Sequence, residues 1–514
     1  METDKITSSY LKNLGEHQFN VEANLKTDDA SNISKVIMGG ANAYIDEIEM
    51  LNGEAHYTGA MVFDVLFVDA EGASHILSET IDINGKIQND QISVLMRPIY
   101  SVEVVDCKVS EVDGDMAKVT ATVAIKLNAV KTDEIETVKI DSPDIQLNSE
   151  TARLHQLGTY GTAKIALNED FESKQTVKRI LITTSHTELK SASAGTGYIS
   201  VEGELMINSL LEVETDEGPA LKNFMQTLQF KEEIENEQVA KDDEVFAFAF
   251  ARPNDVVVSV NASSGDDVSN QNQTIKISAE VTVKYITERE VETTISTDAF
   301  SMTNKTNIVS GTYLAQKPTK IEKFKTTIDG QTTIGDNEAR IAKICAVTNE
   351  HLLVASSAVS DGELTIEGVA YATAIYLTDD DVPALQGVDL EVPFSSKFDV
   401  SSDFDGELFV TGDVKDVDVK AKKGKEINIS FDVCFLVFAH NTTSGVMIKD
   451  IELTEPLPAS EFALEMYVAP KGSTLWDISK NMLVTEDVLL KQNPDLVFPL
   501  ESSKTVVHFR QRTK

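Results

Sequence analysis

Three segments of the chain share a pattern of two glycines six residues apart. They are Gly53–Gly59, Gly197–Gly203 and Gly362–Gly368. Between the glycines apolar and polar residues alternate, as Ile199 and Val201 do with their polar neighbours, and this period of two predicts a half-buried β-strand. A glycine within a strand marks a bulge or a close backbone approach. Because the segments are about 144 and 165 residues apart, they predict three copies of one domain and not a solenoid.

Two further features recur with the glycine pattern. Each predicted copy has one basic residue in an apolar run that precedes the glycines. These residues, expected on the solvent-exposed face of a strand, are Lys35, Arg179 and Lys343. Each also has a late alternating strand: 119–127, 275–283 and 427–437. In the third of these strands Cys434 and Leu436 make both faces apolar, which predicts that it is covered on both sides.

The predicted fold class is mainly β, with three tandem antiparallel domains followed by a small βααβ domain. The expected boundaries are 1–140, 141–300, 301–460 and 462–514, the last of them after a proline-containing segment. Turn-rich stretches such as 261–267 and 401–406 separate the short strands. Helical periodicity is sparse, and residues 221 to 238 are the one segment of the second domain predicted as a helix.

Composition restricts the compartment and the partners. The sequence contains no run of 18 apolar residues, so no membrane span is predicted. The N-terminus lacks the apolar core of a signal peptide. Three cysteines in separate predicted domains favour a reducing compartment with buried free thiols. The net charge of −39 opposes binding to nucleic acid or anionic lipid. We therefore expect a cytoplasmic protein.

Motifs of catalysis and of metal binding are missing from the sequence. The eight histidines are scattered, and no paired histidine or cysteine spacing typical of a zinc site occurs. Neither a phosphate-binding glycine loop nor a Gly-x-Ser-x-Gly elbow is found. The acidic runs 241–244 and 379–381 lack calcium-loop spacing and are interpreted as solvated turns. The expectation is a protein without enzymatic activity and without a cofactor.

The last 53 residues differ from the rest in charge and in periodicity. Residues 462–514 carry seven Lys/Arg and six Asp/Glu, a net charge of +1, so the preceding chain carries −40. The sequence predicts a strand, a helix capped by Ser473 or Thr474, a second helix after Thr485 that ends at Asn493, and a returning strand. Basic residues at its end, Lys504, Arg510, Arg512 and Lys514, could meet an acidic partner.

The segment from Lys471 to Ile478, followed by Asn493-Pro494-Asp495-Leu496, resembles a LysM domain. The resemblance implies a shallow groove, either for N-acetylglucosamine glycans or for a protein partner. The groove residues would be Gly472, Ser473, Thr474, Trp476, Asn493, Pro494, Asp495 and Leu496. Ser473 stands where the family usually has aspartate, and the usual terminal glycine and Ile-Pro are missing, which favours a protein partner. For Trp476 the alternative is a place in the small domain's core.

The domain order of three β-rich copies and one C-terminal LysM resembles the SPOCS-domain spore coat proteins of the SipL-like type. The resemblance implies a non-enzymatic scaffold made in the mother cell and located at the forespore surface. There the LysM domain would tie the coat to a basement-layer ATPase or other coat proteins, with possible self-association of the copies. Two alternatives remain open: a glycan-binding cell-wall protein, and a wall hydrolase targeted by LysM.

Overall fold

The computed structural model describes residues 2–27, 32–140, 142–215, 218–262, 273–316, 320–335, 339–380, 384–400, 406–422, 424–458 and 462–509. Within them the chain is mainly β, as predicted, with every paired strand antiparallel and two short helices near the C-terminus. Parts of the predicted turns 261–267, 379–381 and 401–406 lie outside the described residues.

The strands between Glu2 and Lys139 form two three-stranded sheets, which we call unit 1. Its strands are β1 (Glu2–Lys26), β2 (Lys35–Met50), β3 (Glu54–Val68), β4 (Ser74–Gln88), β5 (Arg97–Asp113) and β6 (Met116–Lys139). One sheet has the order β1-β6-β5 and the other is the meander β2-β3-β4. Alternate residues of the two central strands, such as Val123 and Phe63, are fully buried between the sheets.

Unit 2 has the same chain path. Its strands are β7 (Ile145–Ser173), β8 (Val177–Gly195), β9 (Tyr198–Thr215), β10 (Gly218–Glu235), β11 (Glu244–Phe250), β12 (Val256–Ala262) and β13 (Gln273–Ser301). The meander is β8-β9-β10, and β13 pairs with β7 on one side and with β11 and β12 on the other. A single turn of 3₁₀ helix, Pro253–Asp255, separates β11 from β12.

Unit 3 divides the first long strand into two. Its strands are β14 (Asn304–Gln316), β15 (Lys320–Thr333), β16 (Ile341–Ser360), β17 (Glu363–Thr378), β18 (Leu385–Asp399), β19 (Gly406–Lys422) and β20 (Glu426–Pro456). Strand β20 pairs with β14, β15 and β19, and the meander is β16-β17-β18. On the outer face of β20 Cys434 and Phe438 are buried and Leu436 is partly buried, whereas Asn428 and Asp432 are exposed. The expected cover on both faces is therefore present only over the second half of the predicted strand.

The segment predicted as a helix, 221–238, is instead strand β10 followed by a turn. Strand β10 pairs with β9 along its whole length, and Phe224, Leu228 and Phe230 all face the core of unit 2. Cross-strand pairing over this length, together with burial of one face of β10, determines the conformation, whereas the helical preference of the segment is a weak local term.

The glycine pattern has one geometry in all three units. The first glycine lies in a hairpin turn with positive φ, 84° at Gly53, 82° at Gly197 and 79° at Gly362. The second faces a β-bulge in the preceding strand, where a Cβ would lie 2.1 Å from the Tyr44 carbonyl oxygen, 2.4 Å from that of Glu188 or 2.0 Å from that of Leu353. Only glycine permits this approach, which explains the spacing.

Each bulge carries carbonyl oxygens that a lysine of another unit caps. Lys284 of unit 2 donates to the Asp46 oxygen of unit 1 at 3.0 Å. Lys323 of unit 3 donates to the Leu189 and Lys190 oxygens of unit 2. Lys126 of unit 1 donates to the Val354 oxygen of unit 3 and closes the cycle. A bulge leaves carbonyl oxygens out of the ladder, and here each bulge accepts from a lysine of another unit, so the same feature that shapes each unit also joins it to its neighbour.

Two apolar clusters bring all three units together. The first junction cluster contains Met38, Ile182 and Ala346, together with residues of the adjoining meander strands. These three residues occupy equivalent positions, because they precede the second glycines of their segments by 21, 21 and 22 residues. The second junction cluster joins the other sheets through Val130, Ile286 and Phe438. Corresponding strands of the three units therefore meet in each of the two clusters.

The long strands extend beyond the sheets as three ribbons, β1/β6, β7/β13 and β14/β20. Residues from all three, including Ile135, Leu154, Ile295 and Tyr313, form a further buried cluster. The end of β13 contacts the C-terminal segment, which comprises β21 (Leu464–Ala469), α1 (Leu475–Met482), α2 (Glu486–Gln492) and β22 (Lys504–Phe509). We call this segment the C-terminal module.

Candidate functional site

The C-terminal module has the predicted order of strand, helix, helix and strand. Thr474 caps α1, since its hydroxyl accepts from the Asp477 N–H at 3.1 Å while the Asp477 carboxylate accepts from the Thr474 N–H at 2.9 Å. Thr485 caps α2. The module's own core contains Ala469, Ile478, Met482, Val484, Leu489, Leu500 and Val506. These caps and this core satisfy the ends and the apolar faces of two very short helices.

The two loops of the predicted groove are joined to each other. The Gly472 N–H donates to the Leu500 oxygen at 2.7 Å, and the Leu500 N–H donates to the Ser473 oxygen at 3.1 Å. Gly472 has a φ of 88°, which explains a glycine there. The Ser473 hydroxyl donates to the Pro470 oxygen at 2.9 Å. The loop after β21 is therefore held against the segment after α2.

In the second loop of the predicted groove, residues 493–496, two side chains support the module and two are exposed. Asn493 is buried, and its amide bonds to the Leu489 and Val507 backbones. Leu496 packs on the module core, whereas Pro494 and Asp495 are exposed. Of the eight predicted residues, Gly472, Thr474, Pro494 and Asp495 therefore present exposed surface to a partner.

Trp476 is turned toward unit 2. Its indole N–H donates to the Asp298 carboxylate at 2.8 Å, and its ring lies 5.2 Å from the ring of Phe300. Lys480, one turn further along α1, places its Nζ 2.7 Å from both oxygens of Asp298. The only tryptophan of the chain thus joins the C-terminal module to the end of β13 and lies outside the module's core.

No local sequence signal identifies this contact, because Asp298 precedes Trp476 by 178 residues. A register shift between Ser296 and Asp298 displaces the strand at this point. Burial opposes ionisation of Asp298, but hydrogen bonds from Lys480, Trp476 and the Ala299 N–H outweigh it and lower the pKa of the carboxyl below 3.8. The contact therefore contributes stability above the ordinary carboxyl pKa and loses it as the pH falls through the lowered one.

Replacing Asp298 with alanine is expected to undock the module. Loss of two charge-assisted hydrogen bonds is worth about 1–3 kcal/mol, which weakens docking about tenfold or more. Because Trp476 is the only tryptophan, its emission should shift to the red and become more accessible to iodide. The control Asp170→Ala removes an exposed carboxylate of β7 and should leave the emission unchanged. Identical spectra for both variants would contradict the docking role of Asp298.

The outer face of the β21–β22 ribbon is apolar and exposed. The side chains on this face are Leu464, Met466, Val468, Thr505, Val507 and Phe509, of which Thr505 is polar and Val507 is partly buried. Met466 and Val468 are 66% and 67% exposed, and neither faces the helices of the module. Apolar patches of this kind on an otherwise charged protein mark interaction surfaces. Lys504 is exposed in β22, whereas Arg510, Arg512 and Lys514 lie outside the described residues.

Other kinds of site find little support among the described residues. No group of three or more histidine, cysteine or carboxylate side chains is placed to hold a metal ion. The described helices are too short or too polar to cross a membrane. Cys107, Cys345 and Cys434 are free thiols, and burial raises the pKa of the Cys107 thiol to about 12. No protein-family model matches the chain, and no curated protein matches it significantly.

Proposed function

We propose that the protein is a non-enzymatic assembly scaffold of a spore coat. In this proposal units 1 to 3 are three SPOCS-like domains that form a rigid body, and the C-terminal module is a LysM domain that binds a protein partner. The protein would act in the mother cell at the forespore surface, where it would link coat proteins to a basement-layer ATPase.

Three observations support a scaffold. The shared chain path of the units, the repeated glycine-bulge geometry and the cycle of lysine contacts build one body from three similar parts. Nearly all of the negative charge lies on this body, which keeps it soluble. The Trp476 and Lys480 contacts hold the module at one end of it. Such a body fixes where the module is presented.

The observation that carries the proposal is the exposed apolar face of the β21–β22 ribbon. Its occupant in this proposal is a protein, because a mostly apolar face offers few hydrogen bonds to a sugar, and burying its apolar side chains contributes about 25 cal/mol per Å². The module has a net charge of +1, so it can approach an acidic partner that the body, at −40, would repel.

The test uses the purified full-length protein and the purified basement-layer ATPase of the spore coat. Introducing Met466→Asp together with Val468→Asp should weaken their affinity at least tenfold, because two charges would then be buried at the contact. The control Met225→Asp changes a methionine of β10 with a matching exposure of 65% and should bind as the unmodified protein does. Isothermal titration calorimetry measures all three affinities.

The predicted groove is tested in the same experiment. Asp495→Ala alters the exposed carboxylate of the groove and should leave the affinity for the ATPase unchanged. If Asp495→Ala abolishes binding while the Met466 and Val468 changes do not, the groove is the docking site and the role of the apolar face is wrong. If the unmodified protein does not bind the ATPase at all, the proposed partner is wrong.

A further inference from the structure

We propose that the cavity where the three units meet is a binding site for a small organic cation, with the carboxylate of Glu350 as its counter-ion. The cavity has a volume of about 460 Å³. Strands β2 and β5 of unit 1, β8 and β11 of unit 2, and β16 and β19 of unit 3 all contribute to its wall. A volume of this size lies within the range of small-molecule sites.

The cavity reaches both apolar clusters of the junction. Met38 and Ile182 of the first junction cluster line it, as do Phe246 and Phe409 of the second. The space therefore lies between parts of all three units that also contribute to the two clusters. An occupant would contact all three units at once, so binding would be coupled to their association.

Several buried hydroxyl groups in the wall lack hydrogen-bond partners. Among the described residues, the hydroxyl oxygens of Ser101, Thr187 and Thr348 have none. Thr187 is 8% exposed and Thr348 is 2% exposed, and both line the cavity. An unpartnered buried hydroxyl costs about 1–3 kcal/mol, so this wall is suited to an occupant that offers hydrogen-bonding groups.

A distortion of β16 places Glu350 in the wall. The register between β16 and β17 shifts between Thr348 and His351, which leaves Asn349 and Glu350 out of the ladder, and Asn349 has a positive φ of 55°. The Asn349 amide holds this conformation by donating to the Gly39 oxygen of unit 1 at 3.3 Å. Strained, bulged residues of this kind often position a functional side chain.

The charges of the cavity wall favour a cation. Its basic side chains are already occupied: Arg252 pairs with Asp46, Lys323 donates to the oxygens of the β8 bulge, and Lys415 contacts His186 at 2.9 Å. Among the described residues Glu350 has no basic partner within ion-pair distance. Glu350 is partly buried, so its carboxylate is incompletely solvated while it lacks a basic partner, and an ammonium group beside it would offset that cost.

These features define the ligand class. An amine that also carries a hydroxyl or a second amino group can pair with Glu350 and bond to the nearby Thr348 hydroxyl. Such a ligand also suits a protein of net charge −39, which concentrates cations at its surface. A dicarboxylate would face Glu350 with the same charge, and an uncharged sugar would leave the carboxylate unpaired.

The test is calorimetric titration of the full-length protein with putrescine and ethanolamine as cations, glycerol as a neutral probe and succinate as an anion. We expect at least one of the two cations to bind, and neither glycerol nor succinate to do so. Glu350→Gln should weaken cation binding at least tenfold. The control Glu49→Gln removes an exposed carboxylate of β2 outside the cavity and should bind as the unmodified protein does.

Each other result would overturn the assignment. The ligand class is wrong if neither cation binds at millimolar concentration, or if succinate binds in preference to them. The role of Glu350 is wrong if Glu350→Gln and Glu49→Gln bind the cation equally well. Circular dichroism of both variants confirms that a loss of binding does not arise from unfolding.

Discussion

Replacement of Gly203 with alanine is expected to lower the free energy of unfolding by about 3 kcal/mol, which is more than most single substitutions do. The added Cβ would lie 2.4 Å from the Glu188 carbonyl oxygen and 2.4 Å from the Phe230 ring, so the bulge in β8 would have to open. Lys323 of unit 3 is bonded to the same bulge, and therefore the damage should extend from unit 2 into the junction.

The matched control is Gly197→Ala in the same hairpin. Gly197 has a φ of 82° but open space where a Cβ would be, so alanine there costs only the left-handed conformation, about 1–2 kcal/mol. Urea unfolding followed by circular dichroism compares the two variants. Equal losses at the two glycines would show that the bulge is not the reason for the second glycine of each segment.

The strands were predictable because their periodicity is local. Val119, Ile277 and Phe431 alternate with their neighbours in the sequence, and all three are buried in the sheets. Residues 221–238 were predicted wrongly because pairing with β9, a tertiary effect, overrides the local preference of a short segment. The glycine spacing indicated a bulge, but which carbonyl each glycine faces follows only from the register.

The association of the units could not be predicted from sequence. Lys126 caps a bulge 228 residues away, and Lys323 caps one 134 residues away, yet each lysine has the pattern of an ordinary solvated strand residue. The same holds for Trp476, whose partner Asp298 carries no local signal. In the C-terminal module the alternation of Leu464, Met466 and Val468 is visible, but whether that face is covered depends on the packing of the helices.

Replacement of Glu350 with glutamine is expected to stabilise the protein at pH 8 by up to about 3 kcal/mol. Burial raises the pKa of Glu350 from 4.5 to about 7, with a hydrogen bond from a backbone N–H opposing the shift and the charge of Asp416 adding to it. The unfolded chain therefore releases this proton more readily than the folded protein does. Ionisation of Glu350 consequently removes stability as the pH rises from about 4.5 to 7, and the full cost is present above pH 7.

The direction of this pH dependence distinguishes the loss of a charge from a general packing effect, which would be the same at every pH. At pH 4 the carboxyl is mostly protonated in both states, so Glu350→Gln and the unmodified protein should unfold at nearly the same urea concentration. At pH 8 the variant should be the more stable. Glu49→Gln should show no such pH dependence, because that carboxylate is exposed. A stabilisation that is equal at pH 4 and pH 8 would mean that the effect of glutamine does not come from removing the charge of Glu350.

If the cavity holds a cation, adding that cation at pH 8 should stabilise the unmodified protein and leave Glu350→Gln unaffected, since only an ionised carboxylate offers the cation a partner.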